Sequence, residues 1–529
     1  VLSQIDRTDE GEGGAARWLF WLSVLVTVAA ASYAISRPLT WLVRFVPDDA
    51  FYYLKIASTI ASEGRSSFDG VNPTTGYHPG WMLLVVILAN LFHGKMALLR
   101  ASLATALVLH VAAGYVLSRV FRRWMSAQWS WVGGACWILN PLPVMLALEG
   151  MEASLSVLAL TVALWVYVAL IEPHLESRSI PSWNLACLGA AFGLCMLART
   201  DAVVLCAVVV AALLWKLSRR GRLDLIAVTG GVTVLTVIPW FAYSRWATGA
   251  LLQHSGSMKM LWARKEHTGG LAAAWLYLTG EWLTYPLWEK TVDRLDHKWP
   301  WERSTIGAGV TLGLLIAVWR GLARRETRDL AGTALVLLAG TMSTGAIYGL
   351  LFTDRQDWYR GQPGLILYVV LYGTIVYAFL DRRGGRQGTV IGGLSVAVCA
   401  ATLLVVVLTA NSYPWQRDVL ESQPVFERLV PEGQTIGCFN AGIPAYFSDR
   451  RITNLDGLVN NTVYPYYQRD QFDRYLRDAG IGYIADEDLS MVRAMLFVKE
   501  PLPMEVLASA SLTWMSPAVQ RHLWRVEPR

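Results

Sequence analysis

Apolar residues in this chain come in long runs. Stretches rich in Leu, Val, Ala and Trp cover approximately 18–36, 98–118, 129–147, 153–171, 183–198, 202–217, 224–244, 303–320, 329–352, 363–380 and 388–410. A helix needs about 20 apolar residues to cross the hydrocarbon of a bilayer, and most of these runs are long enough. The pair near 183–217 is short, and a further piece, 81–94, is shorter still. The pattern predicts an α-helical polytopic membrane protein with eleven crossings, residues 81–94 forming a partial or interfacial helix. Thirteen is the alternative count.

Charge then orients the bundle. Short loops carry Arg119/Arg122/Arg123, Arg219/Arg220/Arg222, Arg320/Arg324/Arg325/Arg328 and Arg382/Arg383/Arg386. Basic loops stay on the cytoplasmic side. Alternation places the first loop (37–80), Glu149–Glu152, the middle loop (245–302), Thr353–Gly361 and the tail on the outer face. Residues 1–410 are read as the membrane domain. The tail, 411–529, returns to ordinary soluble composition. Thr435–Phe439, Arg451–Leu455 and Gly482–Ala485 read as strands and Tyr464–Ala479 as a helix, so the tail is expected to be a small α/β domain.

Composition agrees with a membrane protein. Hydrophobic residues make up 54% and charged residues 16%, against about 25% charged in soluble domains, and the mean hydropathy is +0.37. The net charge of +6 sits mainly in the Arg loops, so it reports topology and argues against nucleic-acid binding. The 24 Trp and 21 Tyr suit interfacial belts or the faces of sugars. The first residues, VLSQIDRTDEGEGGAA, carry no cleavage signal, and the first span is expected to be a retained anchor.

Candidate chemistry gathers on the expected outer face. The first loop opens with adjacent carboxylates, Asp48 and Asp49, ahead of an amphipathic helix, and closes near His78-Pro79. Glu149 and Glu152 lie between two spans, and Arg199 between two more. His254, Ser255 and Lys259 open the middle loop, Trp358 and Tyr359 sit in a later turn, and Asp456 is in the tail. Carboxylates beside cations at one level of the membrane suit a reaction on a polar group delivered by a lipid. The carboxylates would act as general base and the cations would hold a phosphate leaving group. Each residue also has a plainer use. Asp48-Asp49 is what a helix N-terminus favours, Arg199 can pair with Asp201, and Trp358-Tyr359 can sit in an interfacial belt.

At this point a family comes into view. DDAFYYLKIA followed by FDGVNPTTGYHPGW resembles the first periplasmic loop of bacterial GT-C glycosyltransferases, which take a sugar from a polyprenyl phosphate. These include the protein O-mannosyltransferases, the aminoarabinose transferase of lipid A, and mycobacterial arabinofuranosyl- and mannosyltransferases. LEGMEAS, LARTDA, HSGSMK, DWYRGQP and NLDGLVN resemble later elements, with RTD where RPD is usual.

The resemblance implies an inverting glycosyltransferase of the bacterial inner membrane, its active site and tail on the periplasmic face, at work in cell-wall or glycoconjugate assembly. It implies a polyprenyl-phosphate-linked donor, with arabinofuranose or mannose favoured, and a glycan, glycolipid or protein acceptor. Asp48 would be the base. Asp49 would orient the acceptor or sugar, or join a metal site. Arg199 and Lys259, with His254 and Ser255, would hold the donor phosphate. Glu149, Glu152, His78, Trp358, Tyr359 and Asp456 would line the cavity. The resemblance fixes no cofactor, and adjacent carboxylates can hold a divalent cation. A lipid-linked glycan flippase, a polymer ligase and a non-catalytic scaffold are the alternatives.

Overall fold

The computed structural model describes residues 14–176, 179–282, 300–323, 327–352, 356–376, 385–512 and 519–527. Residues 1–13, a stretch of the expected middle loop (283–299), 353–355 and the Arg382/Arg383 loop lie outside the described residues.

Helices cover all eleven apolar runs wherever they are described. Among the described residues, six are long and apolar enough to cross a membrane: Gly14–Ser36, Lys95–Phe121, Ala153–His174, Arg219–Thr248, Arg328–Leu351 and Gln387–Thr409. Ala127–Ile138 and Pro141–Leu148 make a seventh if they count as one span bent by 45°. Pro141 has no N–H to continue the helix, and the Asn140 side chain caps the next segment at the Leu142 amide. Ser182–Ala198 and Ala202–Lys216 are shorter, as is Pro79–Leu91 at 13 residues.

Burial sorts these helices. Ala153–His174 is 67% buried over its apolar window, whereas Arg219–Thr248 and Gln387–Thr409 are 17% and 22% buried. The first is central. The other two turn Leu235, Ile238, Val398 and Val405 outward, as the rim of a bundle in lipid would.

The first loop holds an amphipathic helix, Asp48–Glu63. Pro47 precedes it, both carboxylates lie in its first turn, and Gly64 ends it in the left-handed region at φ 70°. Phe51, Leu54, Ile56 and Ala57 are buried. The middle loop begins at Gly249, a few residues later than expected, because the preceding helix runs on to Thr248. Two helices follow, His254–Glu266 and Leu271–Tyr277.

After the last long helix ends at Thr409, the tail opens with the helix Gln416–Leu429. Its sheet contains β1 (Ile436–Cys438), β2 (Ile452–Asn454), β3 (Tyr483–Glu487), β4 (Met504–Ser511) and β5 (Gln520–Val526) in the order β2-β1-β3-β5-β4. The first three strands are parallel, and β5 and β4 add antiparallel. The single helix expected over Tyr464–Ala479 is broken into Tyr464–Tyr467 and Phe472–Asp478, with Asp470 between them at φ 53°. A residue in that region does not continue a right-handed helix.

The tail is locked onto the first loop. The short helix Gly442–Phe447 directs its Gly442 and Ile443 amides at the two Asp48 carboxylate oxygens, at 2.8 and 2.7 Å. The Tyr52 hydroxyl donates to the Phe439 carbonyl at 3.0 Å and accepts from the Ala441 amide at 3.2 Å. Farther along, Thr453 donates to Asp69 at 2.9 Å.

Candidate active site

The loop, the tail and the helix ends enclose a cavity of about 400 Å³. The first turn of the carboxylate helix contributes Asp49, and its next residues contribute Tyr52 and Tyr53. His78 enters from the start of the helix Pro79–Leu91. The helix His254–Glu266 presents Ser255 and Lys259 one turn apart.

Arg199 is the centre of an ion network at the cavity floor. The turn joining the two short apolar helices holds it, and it is only 2% exposed. Its Nε and Nη2 donate to Asp201 at 3.1 and 2.9 Å. Its Nη1 contacts Glu152, and Nη2 also reaches the Tyr348 hydroxyl at 3.1 Å. Burial alone would push the Asp201 carboxyl up, but the guanidinium overrides it and holds Asp201 below its usual range. The Tyr359 ring covers the guanidinium, 4.6 Å from the ring centre. The three guanidinium nitrogens of Arg199 are thus held by Asp201, Glu152 and Tyr348, while the residue borders the cavity.

Lys259 faces the same cavity and donates to the Tyr359 hydroxyl at 2.6 Å. His78 is half-buried, and its desolvation lowers its pKa. Its Nδ1 lies 3.2 Å from the Gln253 amide nitrogen and its Nε2 lies 3.6 Å from Glu152. Tyr53 completes this side. It donates to Glu152 at 3.2 Å and accepts the His78 backbone N–H at 3.0 Å.

The two adjacent carboxylates part company. Both Asp48 oxygens accept tail amides, and burial pushes its pKa up to about 7. Asp49 lines the main cavity and also two smaller ones, of about 90 and 170 Å³, on the tail side. It stands where all three meet.

The other expected residues divide likewise. Glu152 is on the cavity wall. Glu149 is buried but is not on that wall, because Gly150 turns the chain at φ 70° between them. Ser255 lines the cavity, whereas His254 stacks on Tyr464 with ring centres 5.2 Å apart. Trp358 and Tyr359 line it, edge to face. Asp456 shares the 90 Å³ cavity with Asp49 and Lys259, and burial drives its pKa well above the carboxylate range.

Sequence reasoning did not single out Tyr53, Gln253 or Tyr348. Tyr53 carried a signal, since it lies within DDAFYY. Tyr348 lies inside an apolar run and reads there as a belt residue. Among the described residues no three His, Cys, Asp or Glu side chains converge as metal ligands, and the Asp48 oxygens are already engaged.

A family model described as a domain of unknown function, DUF8728, matches residues 417–518. No curated protein sequence matches. Among solved structures, ArnT from Cupriavidus metallidurans bound to undecaprenyl phosphate aligns with a TM-score of 0.56 at 13% identity. The alignment covers 95% of this chain and 97% of that one. The Archaeoglobus fulgidus oligosaccharyltransferase in its apo form aligns with a TM-score of 0.51 at 15% identity, over 89% of this chain and 69% of that one. The archaeal oligosaccharyltransferase AglB from Archaeoglobus fulgidus, in complex with an inhibitory peptide and a dolichol-phosphate, aligns with a TM-score of 0.50 at 14% identity over the same shares.

Proposed function

We propose that this chain, which has the GT-C glycosyltransferase fold along nearly its whole length, is a membrane glycosyltransferase. It moves one sugar from a polyprenyl-monophosphate carrier to an acceptor hydroxyl in a single inverting displacement. The observation that carries this reading is that Asp49 and Lys259 face one cavity where the apolar bundle meets the tail. A lipid-borne sugar phosphate needs such a junction, with its chain beside the apolar helices and its headgroup among polar ones. ArnT was solved bound to undecaprenyl phosphate and AglB in complex with a dolichol-phosphate, which supports a lipid-phosphate carrier.

The roles follow from position. Lys259 binds the phosphate, with Ser255 one turn away on the same helix face. Asp49 takes the acceptor proton as the acceptor oxygen bonds to the anomeric carbon. The bond from that carbon to the phosphate oxygen breaks, and its electron pair leaves with the polyprenyl phosphate, whose charge Lys259 stabilises. Arg199, Glu152, Asp201 and Tyr348 form the rigid floor. Asp48 holds the tail in place, and Tyr359 positions Lys259.

Arabinofuranose and mannose are the favoured sugars on the first-loop resemblance. The Arg-rich loops favour an active site on the periplasmic face of a bacterial inner membrane, in cell-envelope glycan assembly. A polymer ligase would use the same cavity. A flippase would need its ionisable groups near mid-span, whereas these sit at helix ends and in turns.

The test uses protein in nanodiscs with polyprenyl-phospho-arabinofuranose and polyprenyl-phospho-mannose. Wild type releases polyprenyl phosphate with one of them. Asp49→Asn lowers kcat by about 10²- to 10⁴-fold, the usual worth of a positioned base. No release with any donor, or full activity in Asp49→Asn, rejects the reading.

A further inference from the structure

On the tail side of Asp49 lies the 170 Å³ chamber, and its chemistry differs from that of the main cavity. Tyr413 and Trp415 line it, both half-buried, with ring centres 5.6 Å apart at 88°. Trp358 separates the chamber from the main cavity and lines both. Gln416 is a buried amide on the chamber wall. Its Nε2 donates to the Val43 and Val46 carbonyls at 2.8 and 3.0 Å. Its Oε1 has no hydrogen-bond partner among the described residues. A buried oxygen of this kind calls for a donor.

The charges narrow the occupant. Asp48, Asp49, Asp486 and Glu487 line the chamber against one cation, Arg521. The Arg521 Nη1 donates to the Ser422 hydroxyl at 2.8 Å and Nη2 to the Gln423 amide oxygen at 2.5 Å. An anionic acceptor would meet carboxylates. A ligand that presents several hydroxyl donors and flat C–H faces would meet acceptors and aromatic rings.

We propose that this chamber is the acceptor subsite and that its occupant is a neutral sugar unit of a glycan, which presents its attacking hydroxyl to Asp49 from the tail side. This rests on the transfer reaction proposed above. The donor then enters from the bundle and the acceptor from the tail, and the two meet at one carboxylate. The residues that select the acceptor belong to the 411–529 region and to the Gln356–Tyr359 turn.

The probes are short neutral arabinan and mannan oligosaccharides, tested with wild type, Trp415→Ala, Tyr413→Ala and Trp415→Phe in nanodiscs. Transfer to one of these probes is expected. Its KM should rise about five- to tenfold in either alanine variant, on the scale of one lost aromatic contact, and Trp415→Phe should recover most of the loss. The donor KM should stay unchanged. Saturation-transfer NMR without donor should show the oligosaccharide bound to wild type and weakened in Trp415→Ala, which reads the site independently of turnover. Unchanged acceptor KM and binding overturn the proposal, as do an equal rise in donor KM or a preference for a basic peptide or a phosphorylated glycan. Absence of polyprenyl phosphate release by wild type would instead reject the transfer reaction, while the NMR arm still decides the subsite.

Discussion

Arg199 and Lys259 are both buried cations on one cavity, yet they should respond differently to removal. Arg199→Ala leaves Glu152 and Asp201 buried without their counter-ion. Breaking such a pair costs about 3–5 kcal/mol, so a large fall in thermal stability is expected, and scanning fluorimetry on the purified protein would reveal it. On the proposed function, Lys259→Met removes a headgroup ligand and leaves the floor intact. Its melting temperature should stay close to wild type while the donor KM rises. If Lys259→Met melts as early as Arg199→Ala, the division between floor and ligand is wrong. The Asp48 pair tests the same logic. Asp48→Asn keeps one acceptor oxygen for the tail amides, so it should retain far more activity than Asp49→Asn.

At the level of elements, the contact between the Asp48–Glu63 helix and the Gly442–Phe447 helix should depend on pH. Burial lifts the Asp48 pKa from 3.8 to about 7, so the folded protein keeps a proton that the unfolded chain has released. Stability therefore falls as pH rises from about 4 to about 7 and levels off above that. The melting temperature should fall between pH 6 and pH 8, and the fall should be smaller in Asp48→Asn. An equal fall in wild type and Asp48→Asn would count against this linkage. Gly442→Ala should loosen the same contact at any pH, because an added Cβ would run into the Asp48 carbonyl oxygen and carboxylate. Limited proteolysis of the tail would register that change.

Some of this was legible in the chain and some was not, for physical reasons. The eleven apolar runs and the amphipathic first-loop helix follow from periodicity, which is local. The division of labour between Asp48 and Asp49 is not local, since the amides that engage Asp48 come from residues 442 and 443. β1, β2 and β3 are buried strands, each holding an isoleucine between turn signals, and they read as strands. β4 went unseen because it is an edge strand mostly exposed on both faces, so no alternation marks it. β5 hides a buried Arg521 within a charged stretch. His254 was grouped with Ser255 and Lys259 by adjacency, but a helix sends neighbouring residues to different faces.

For the whole molecule, the basic loops and the cavity should lie on opposite sides of the membrane. Ser62 is exposed on the cavity side, and Arg220 is exposed in a basic loop. In intact spheroplasts, Ser62→Cys should react with a membrane-impermeant maleimide and Arg220→Cys should react only after permeabilisation. The reverse result would invert the topology, and labelling of both would place them on one side.

The clasp between Asp48 and the Gly442–Phe447 helix bears on modularity. The DUF8728 match, confined to residues 417–518, suggests a detachable module. The clasp makes it one half of a matched pair, because Asp48, Tyr52 and Asp69 all bond to tail residues across almost 400 positions of sequence. A chimera that grafts this tail onto a related bundle should assemble only if the recipient's first loop is exchanged with it. Within such a lineage, the two segments are expected to be inherited and to diverge together.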